Sequence, residues 1–260
     1  MRAEKYIEDM VAQGCHHFTT ESAIKAIGGS DEAVRAKLRR LKRRGTIASP
    51  MRSFYVVVPP EYRRLGCVPA EHFIDQLMEE IGEPYYIALL SAAARHGAAH
   101  QRPQSLQVMV PKNRPPVECG QVRVVFIARS DLERMPVTEV NTPHGYLRYA
   151  TPELTALELV GYPRHAGGLN NAATVLGELA EEIDRDLLLE AAKLAPVGWS
   201  QRLGYLLELV EEPRLAEVLL PFVEKQAHSY IPLRRAEGVA GATRSSRWKV
   251  VINVAVEPDE

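Results

Sequence analysis

Cysteine is scarce in this chain of 260 residues: Cys15, Cys67 and Cys119 are odd in number, far apart in sequence, and form no CxxC pair. A disulfide framework and a zinc ribbon are thereby excluded, and reduced, buried thiols in a cytoplasmic protein are expected. Long apolar runs are missing too. The most apolar stretch, Tyr85 to Ala94, spans about ten residues before Arg95 and His96 interrupt it, whereas a helix crossing a bilayer needs roughly 20. Met1 to Met10 is charged throughout and has none of the apolar core of a secretion signal. The expected setting is cytoplasmic, with no membrane span.

The signatures of catalysis are equally sparse. Ser91 sits in no GxSxG elbow, and no serine, histidine and acid fall into a recognisable order. Gly167-Gly168 belongs to no GxxxxGK[ST] phosphate loop and reads as a turn. His96 and His100 have the separation that sets two imidazoles on one helix face, as in a metal site. Gly97 interrupts that helix, no glutamate follows His96, and no third ligand can be named, so both read as structural histidines. Cys15, His16 and His17 likewise lack partners at zinc-finger spacing. No catalytic residue, metal or cofactor is assigned.

Net charge is close to nil at −1, but it is unevenly spread. Residues 1–64 hold 13 Lys+Arg against 7 Asp+Glu, a balance of +6, and the remainder holds 19 against 26, a balance of −7. A basic head on an acidic body points to one end that binds a polyanion and another with a different task.

The head reads as three short helices and a hairpin. Tyr6, Ile7, Met10 and Val11 recur at helical spacing between Ala3 and Gln13, and Gly14 stops that helix. A second helix starts at Thr19 or Thr20, turns Ala23, Ile24 and Ile27 inward, and ends at Gly28-Gly29. Ser30 caps a third, with Asp31 and Glu32 in its first turn, where the helix dipole favours acids, and Gly45 after Arg44 ends it. Thr46 to Ser49 and Ser53 to Val58 favour strands around a turn at Pro50 to Arg52, forming a β-wing. Pro59-Pro60 closes the wing, which sets a winged helix-turn-helix over residues 1–64 and a larger domain over 65–260.

The third helix carries the strongest signal. At about 100° per residue, Val34, Leu38 and Leu41 share one narrow sector, and Ala36, Arg39, Arg40 and Arg43 point the opposite way. Arg35 and Lys42 flank one side of the basic face, Lys37 and Arg44 the other. In a helix-turn-helix, the second helix of the pair enters the major groove, which calls for this apolar back and cationic front. Arginine's planar fork suits guanine, so Arg35, Arg39, Arg40 and Arg43 are the candidate base readers. Lys37, Lys42, Arg44 and the wing residue Arg52 are assigned to phosphates. The competing reading is a solvated basic face with no partner.

The larger domain mixes elements without visible repeats. Helical spacing marks Ala70–Ile81, Pro84–Arg95, Pro152–Val160, Asn170–Ile183, Asp186–Leu194, Ser200–Val210 and Arg214–Val223. Strand-like runs are Ser105–Val110, Val122–Ala128, Val137–Val140, Tyr146–Tyr149 and Trp248–Val256. The fold class expected is α+β, a winged helix-turn-helix followed by a larger mixed α/β domain. Glu153 and Glu158 with Arg148 read either as a polar site or as a surface ion pair; Gln201, Arg202 and Tyr205 read either as groove-facing or as structural.

Five blocks bear a family likeness: SPMRSFYVVVPPEYRRLG, PYYIALLSAAARHGAAHQRPQSLQVMV, TPELTALELVGYPRHAGGLNNAATVLGELAEEID, QRLGYLLEL and RWKVVINVAVE. In order and spacing they resemble the AbiEi family of antitoxins. The resemblance implies an antitoxin of a type IV toxin-antitoxin pair, with a part in phage defence. Its winged-helix head would repress its own operon by binding inverted repeats in promoter DNA. Its larger domain would counter a co-transcribed nucleotidyltransferase-like toxin, without stable contact being implied. A nucleic-acid-acting enzyme with a basic DNA-tethering head is the alternative from another class, and an adaptor that only binds another protein is a third.

Overall fold

A computed structural model describes residues 2–98 and 103–258. In chain order it runs α1 (Ala3–Ala12), β1 (His17–Thr19), α2 (Thr20–Ile27), α3 (Asp31–Arg43), β2 (Ile47–Met51) and β3 (Phe54–Val57). Next come α4 (Ile74–Ile81), β4 (Tyr86–Ile87), α5 (Leu89–Arg95), β5 (Leu106–Val110), β6 (Val117–Cys119) and β7 (Val122–Ala128). The hairpin β8 (Val137–Thr142) and β9 (Gly145–Ala150) leads into α6 (Pro152–Gly161), α7 (Leu169–Leu179) and α8 (Arg185–Lys193). The chain ends with α9 (Val197–Leu209), α10 (Pro213–Gln226), β10 (Ile231–Pro232), β11 (Thr243–Ser245) and β12 (Val250–Ile252). This is a winged helix-turn-helix followed by a larger mixed α/β part, the fold class expected.

Two compact units form. One comprises Met1–Tyr85, Gln104–Ser130 and Asn141–Leu147; the other comprises Tyr86–Pro103, Asp131–Val140 and Arg148–Glu260.

The head of the first unit is organised by its caps. The Thr19 hydroxyl accepts from the Ser22 amide while the Ser22 hydroxyl accepts from the Thr19 amide, a reciprocal pair that starts α2. The Ser30 hydroxyl accepts from the Ala33 amide and starts α3. Between the two helices, Gly28 and Gly29 take φ of 71° and 100°, left-handed values that a Cβ would strain. Val34, Leu38 and Leu41 face inward onto Tyr6, Ile7, Phe18, Ala23, Ile27 and Ile47. Each such burial stabilises by roughly 1.5–3 kcal/mol.

The hairpin differs from the sequence expectation in two ways. A strand not foreseen, β1, pairs antiparallel with β3, giving the order β1-β3-β2 with Phe18 opposite Tyr55. Pro50 belongs to β2 rather than to the turn, and the register between β2 and β3 shifts between Ala48 and Met51. A shift of this kind is how a strand accommodates a proline that cannot donate. The turn shrinks to Arg52-Ser53, with Ser53 at φ 68° and its carbonyl accepting from the Thr20 amide at 2.9 Å. Elsewhere in this unit β7 lies between β6, antiparallel, and β5, parallel, with Val108 opposite Phe126.

In the second unit, β9 lies between β4 and β8, and Ile87 faces Tyr149 in parallel. The Pro84–Arg95 segment, read as one helix, is instead strand β4 and then α5, with Leu89 at φ 53° at the junction. A short, wholly buried apolar run has no period by which to tell the two apart. Central to the unit is α6, buried from Glu153 to Val160, with the hydroxyl of Thr151 capping it and Pro152 in its first turn. Two glycines admit indoles: a Cβ on Gly161 would stand 2.4 Å from Trp199, and one on Gly204 would stand 2.1 Å from Trp248. The terminal strand is only Val250–Ile252, because the Asn253 side chain turns away to bond the carbonyls of Arg234 and Glu237 at 2.8 and 3.0 Å.

Candidate nucleic-acid interface

The cations of the head fall into two groups. On α1, Lys5 pairs with Asp9 at 3.0 Å, and on α2, Lys25 pairs with Glu21 at 2.8 Å, each one helical turn apart. On α3 the two acids stand in the first turn, and Arg35, Lys37, Arg39, Arg40, Lys42 and Arg43 have no carboxylate partner among the described residues. Arg35, Arg39, Arg40, Lys42 and Arg43 are exposed, and Lys37 is half-buried. The result is a face of unanswered positive charge on a rod whose back is closed by Val34, Leu38 and Leu41.

Arg44 caps the end of α3 and reaches Glu4 at 3.5 Å, an exposed pair of small energetic weight. Arg52 is exposed at the tip of the wing and carries no ion pair among the described residues. One residue that the sequence did not single out belongs with them: Arg2 lines a hollow of about 260 Å³ with Lys37, Arg40 and Arg44. Its neighbourhood is set by α1 lying against α3, which no local pattern announces.

The other candidates resolve as structural. A ring nitrogen of His96 lies 2.8 Å from the Ala150 carbonyl oxygen, while His100 lies outside the described residues. No group of three or more metal-ligating side chains occurs among the described residues. Glu153 and Glu158 are buried, at 3% and 0% exposure, and so lie off the surface. Glu153 accepts from the Asp184 amide at 2.9 Å and Glu158 from the Tyr86 hydroxyl, while Arg148 reaches Glu139 at 3.0 Å.

Gln201 is buried, and its amide nitrogen serves the carbonyls of Ser229, Trp248 and Lys249, tying α9 to the terminal sheet. Tyr205 is partly buried against the core, and burial raises its phenol above the usual range. Cys67 and Cys119 are buried free thiols as expected, whereas Cys15 is half-exposed. No helix among the described residues is long and apolar enough to cross a membrane.

Against known proteins, residues 86–209 match the AbiEi antitoxin C-terminal domain. The match begins at Tyr86, the residue at which the second unit begins. Among solved structures, the crystal structure of the RV2827C protein from Mycobacterium tuberculosis is similar, with 17% identity and a TM-score of 0.69. The likeness covers 96% of this chain and 90% of that one, so it is a likeness of fold that takes in the head as well as the larger part. Comparison with curated proteins finds no match.

Proposed function

Taking residues 86–209 as an AbiEi antitoxin C-terminal domain, we propose that this chain is the antitoxin and autorepressor of a type IV toxin-antitoxin pair. Residues 1–64 bind double-stranded DNA at inverted repeats in the chain's own promoter, and 65–260 counter a nucleotidyltransferase-like toxin in the cytoplasm. The observation that carries the DNA half is the exposed face of α3, whose cations lack the carboxylates that neutralise those of α1 and α2. A polyanion supplies the missing counter-charge.

In this reading α3 lies in the major groove. Arg35, Arg39, Arg40 and Arg43 read base edges, and Lys37, Lys42, Arg44 and Arg52 hold the backbone. Two-fold repeats in the operator call for two protomers on DNA. The test is a gel shift of the full chain on its own upstream DNA, beside a double variant with Arg39→Ala and Arg40→Ala. The wild type shifts that fragment in preference to unrelated DNA, and the folded double variant loses several kcal/mol at about 1–3 for each base contact removed. Equal affinity of the two proteins for the fragment sinks the proposal. For the antitoxin half, co-expression with the neighbouring gene's product should restore growth that the toxin alone arrests.

A further inference from the structure

The second unit holds a cavity of about 700 Å³ whose wall is at odds with the charge around it. The second unit carries 15 Lys+Arg against 20 Asp+Glu, yet Arg164, Arg202, Arg234 and Arg235 line this cavity against one acid, Glu237. Arg234 reaches Glu237 at 3.7 Å, whereas Arg164, Arg202 and Arg235 have no carboxylate partner among the described residues.

Arg202 is the informative member. It is 4% exposed, and all its bonds are to main-chain carbonyls: Nε to Pro232 and Leu233, Nη2 to Pro232, and Nη1 to Gly198. A guanidinium has five N–H groups, so one on each terminal nitrogen is left over. A buried cation held only by dipoles, with another cation nearby, is costly without an anion. Burial and the charge of Arg235 hold its pKa down at about 10.

The backbone supplies a further donor set. At the same cavity α7 begins at Leu169, with Gly167 and Gly168 at φ 76° and 96°, no side-chain cap, and no acid in its first turn. Free first-turn amides and a glycine approach are how main chain meets an anion. Apart from His165, the remaining wall is largely apolar, with Tyr162, Leu169 and Leu233, and Tyr162 rests edge-on against Trp199 at 5.3 Å. A bare phosphate fills a small part of such a volume and makes no use of that wall.

We propose that this cavity binds a phosphate-bearing organic anion of mononucleotide size, its phosphate on Arg202, Arg235 and Arg164 at the start of α7 and its body on the apolar wall. The site is separate from the basic face of α3 and stands whether or not that face binds an operator.

Isothermal titration of the full chain with ATP, AMP and inorganic phosphate tests it, with Trp199 fluorescence as a second readout. One nucleotide should bind at a single site per chain, and inorganic phosphate should bind at least about tenfold more weakly. The exposed substitutions Arg164→Ala and Arg235→Ala should each weaken the nucleotide by about tenfold or more, since each removes a charge-assisted contact, while leaving the melting temperature and DNA binding unchanged. Arg202→Lys keeps the charge but loses the fork, and should weaken the nucleotide as well. No nucleotide binding at millimolar concentration overturns the proposal, as does nucleotide binding indifferent to Arg164→Ala and Arg235→Ala. Phosphate binding as tightly as nucleotide overturns the ligand class, and loss of DNA binding in these variants with unchanged nucleotide affinity reassigns the arginines.

Discussion

Cys67 donates its thiol to the sulfur of Cys119 across the first unit, where the chain crosses itself so closely that a Cβ on Gly120 would stand 2.0 Å from the Leu65 carbonyl oxygen. The two thiols differ in consequence. Cys119 is pulled below the usual thiol range, to about 7, by the Cys67 hydrogen bond, the Ser49 amide and the Lys42 charge, against a contrary push from burial. Cys67 is pushed far up, first because its proton is held in that same bond and then by burial. The pair therefore releases one proton early and keeps the other.

Titration followed by thiolate ultraviolet absorbance checks this in a Cys15→Ser background. A thiolate should appear with a midpoint near 7, and Cys67→Ala should return that midpoint toward the ordinary 9.0. Cys119→Ala should remove the early step altogether. A midpoint unmoved by Cys67→Ala rules out the donor role.

None of this was legible in the sequence, where the spacing of the cysteines argues only against CxxC chemistry. What was legible is local. The Ser30 cap, the acids of the first turn and the Val34, Leu38, Leu41 stripe define α3 almost to the residue. Local signals also locate α6 through Thr151-Pro152. Sequence patterning falters where neighbours distant in the chain decide: Tyr86 and Ile87 become a strand because β9 pairs with them, and β1 is too short to show an alternation. The cationic face of the candidate interface could be read because one helix carries it; the neighbourhood of Arg2, and the arginine cavity of the second unit, depend on contacts across elements.

His72 and His144 stack at 4.0 Å between ring centroids, and His16 meets His144 edge-on at 5.7 Å. Burial first, then the neighbouring imidazoles, lower the pKa of His72 against a contrary pull from Glu71; burial and then His16 lower that of His144. With folded values below the ordinary 6.5, the unfolded chain binds more protons than the native one as pH falls through 6.5. Stability should therefore be lost on acidification below that value. Thermal unfolding between about pH 7.5 and about pH 5.5 should show a falling melting temperature, and a smaller fall for the double variant His72→Gln with His144→Gln. An equal fall in that variant assigns the acid sensitivity to other groups.

Gly204 is a packing requirement. A methyl group there would overlap the Trp248 ring, 0% exposed and held in place by the Gln201 bond to its carbonyl. Gly204→Ala should destabilise by about 1–3 kcal/mol through overpacking. At roughly 2–4 °C per kcal/mol for a chain of this size class, calorimetry should register a drop of several degrees. A melting temperature within error of the wild type would mean that the indole moves aside freely.

The basic face of α3 makes a quantitative demand of its own. If about five cations per protomer meet phosphate, the logarithm of operator affinity should fall with the logarithm of salt at a slope of about −4 to −5 per protomer. Lys42→Ala and Arg52→Ala should weaken all sequences alike and reduce that slope by about 1 each, whereas Arg39→Ala should cost about 1–3 kcal/mol and relax the choice of base at one position. Lys25→Ala is the control, because Glu21 already neutralises that charge and its loss should leave the slope unchanged. Fluorescence anisotropy across a salt series separates the roles. A slope near zero, or one reduced as much by Lys25→Ala as by Lys42→Ala, would show that the charge of α3 is not what holds DNA.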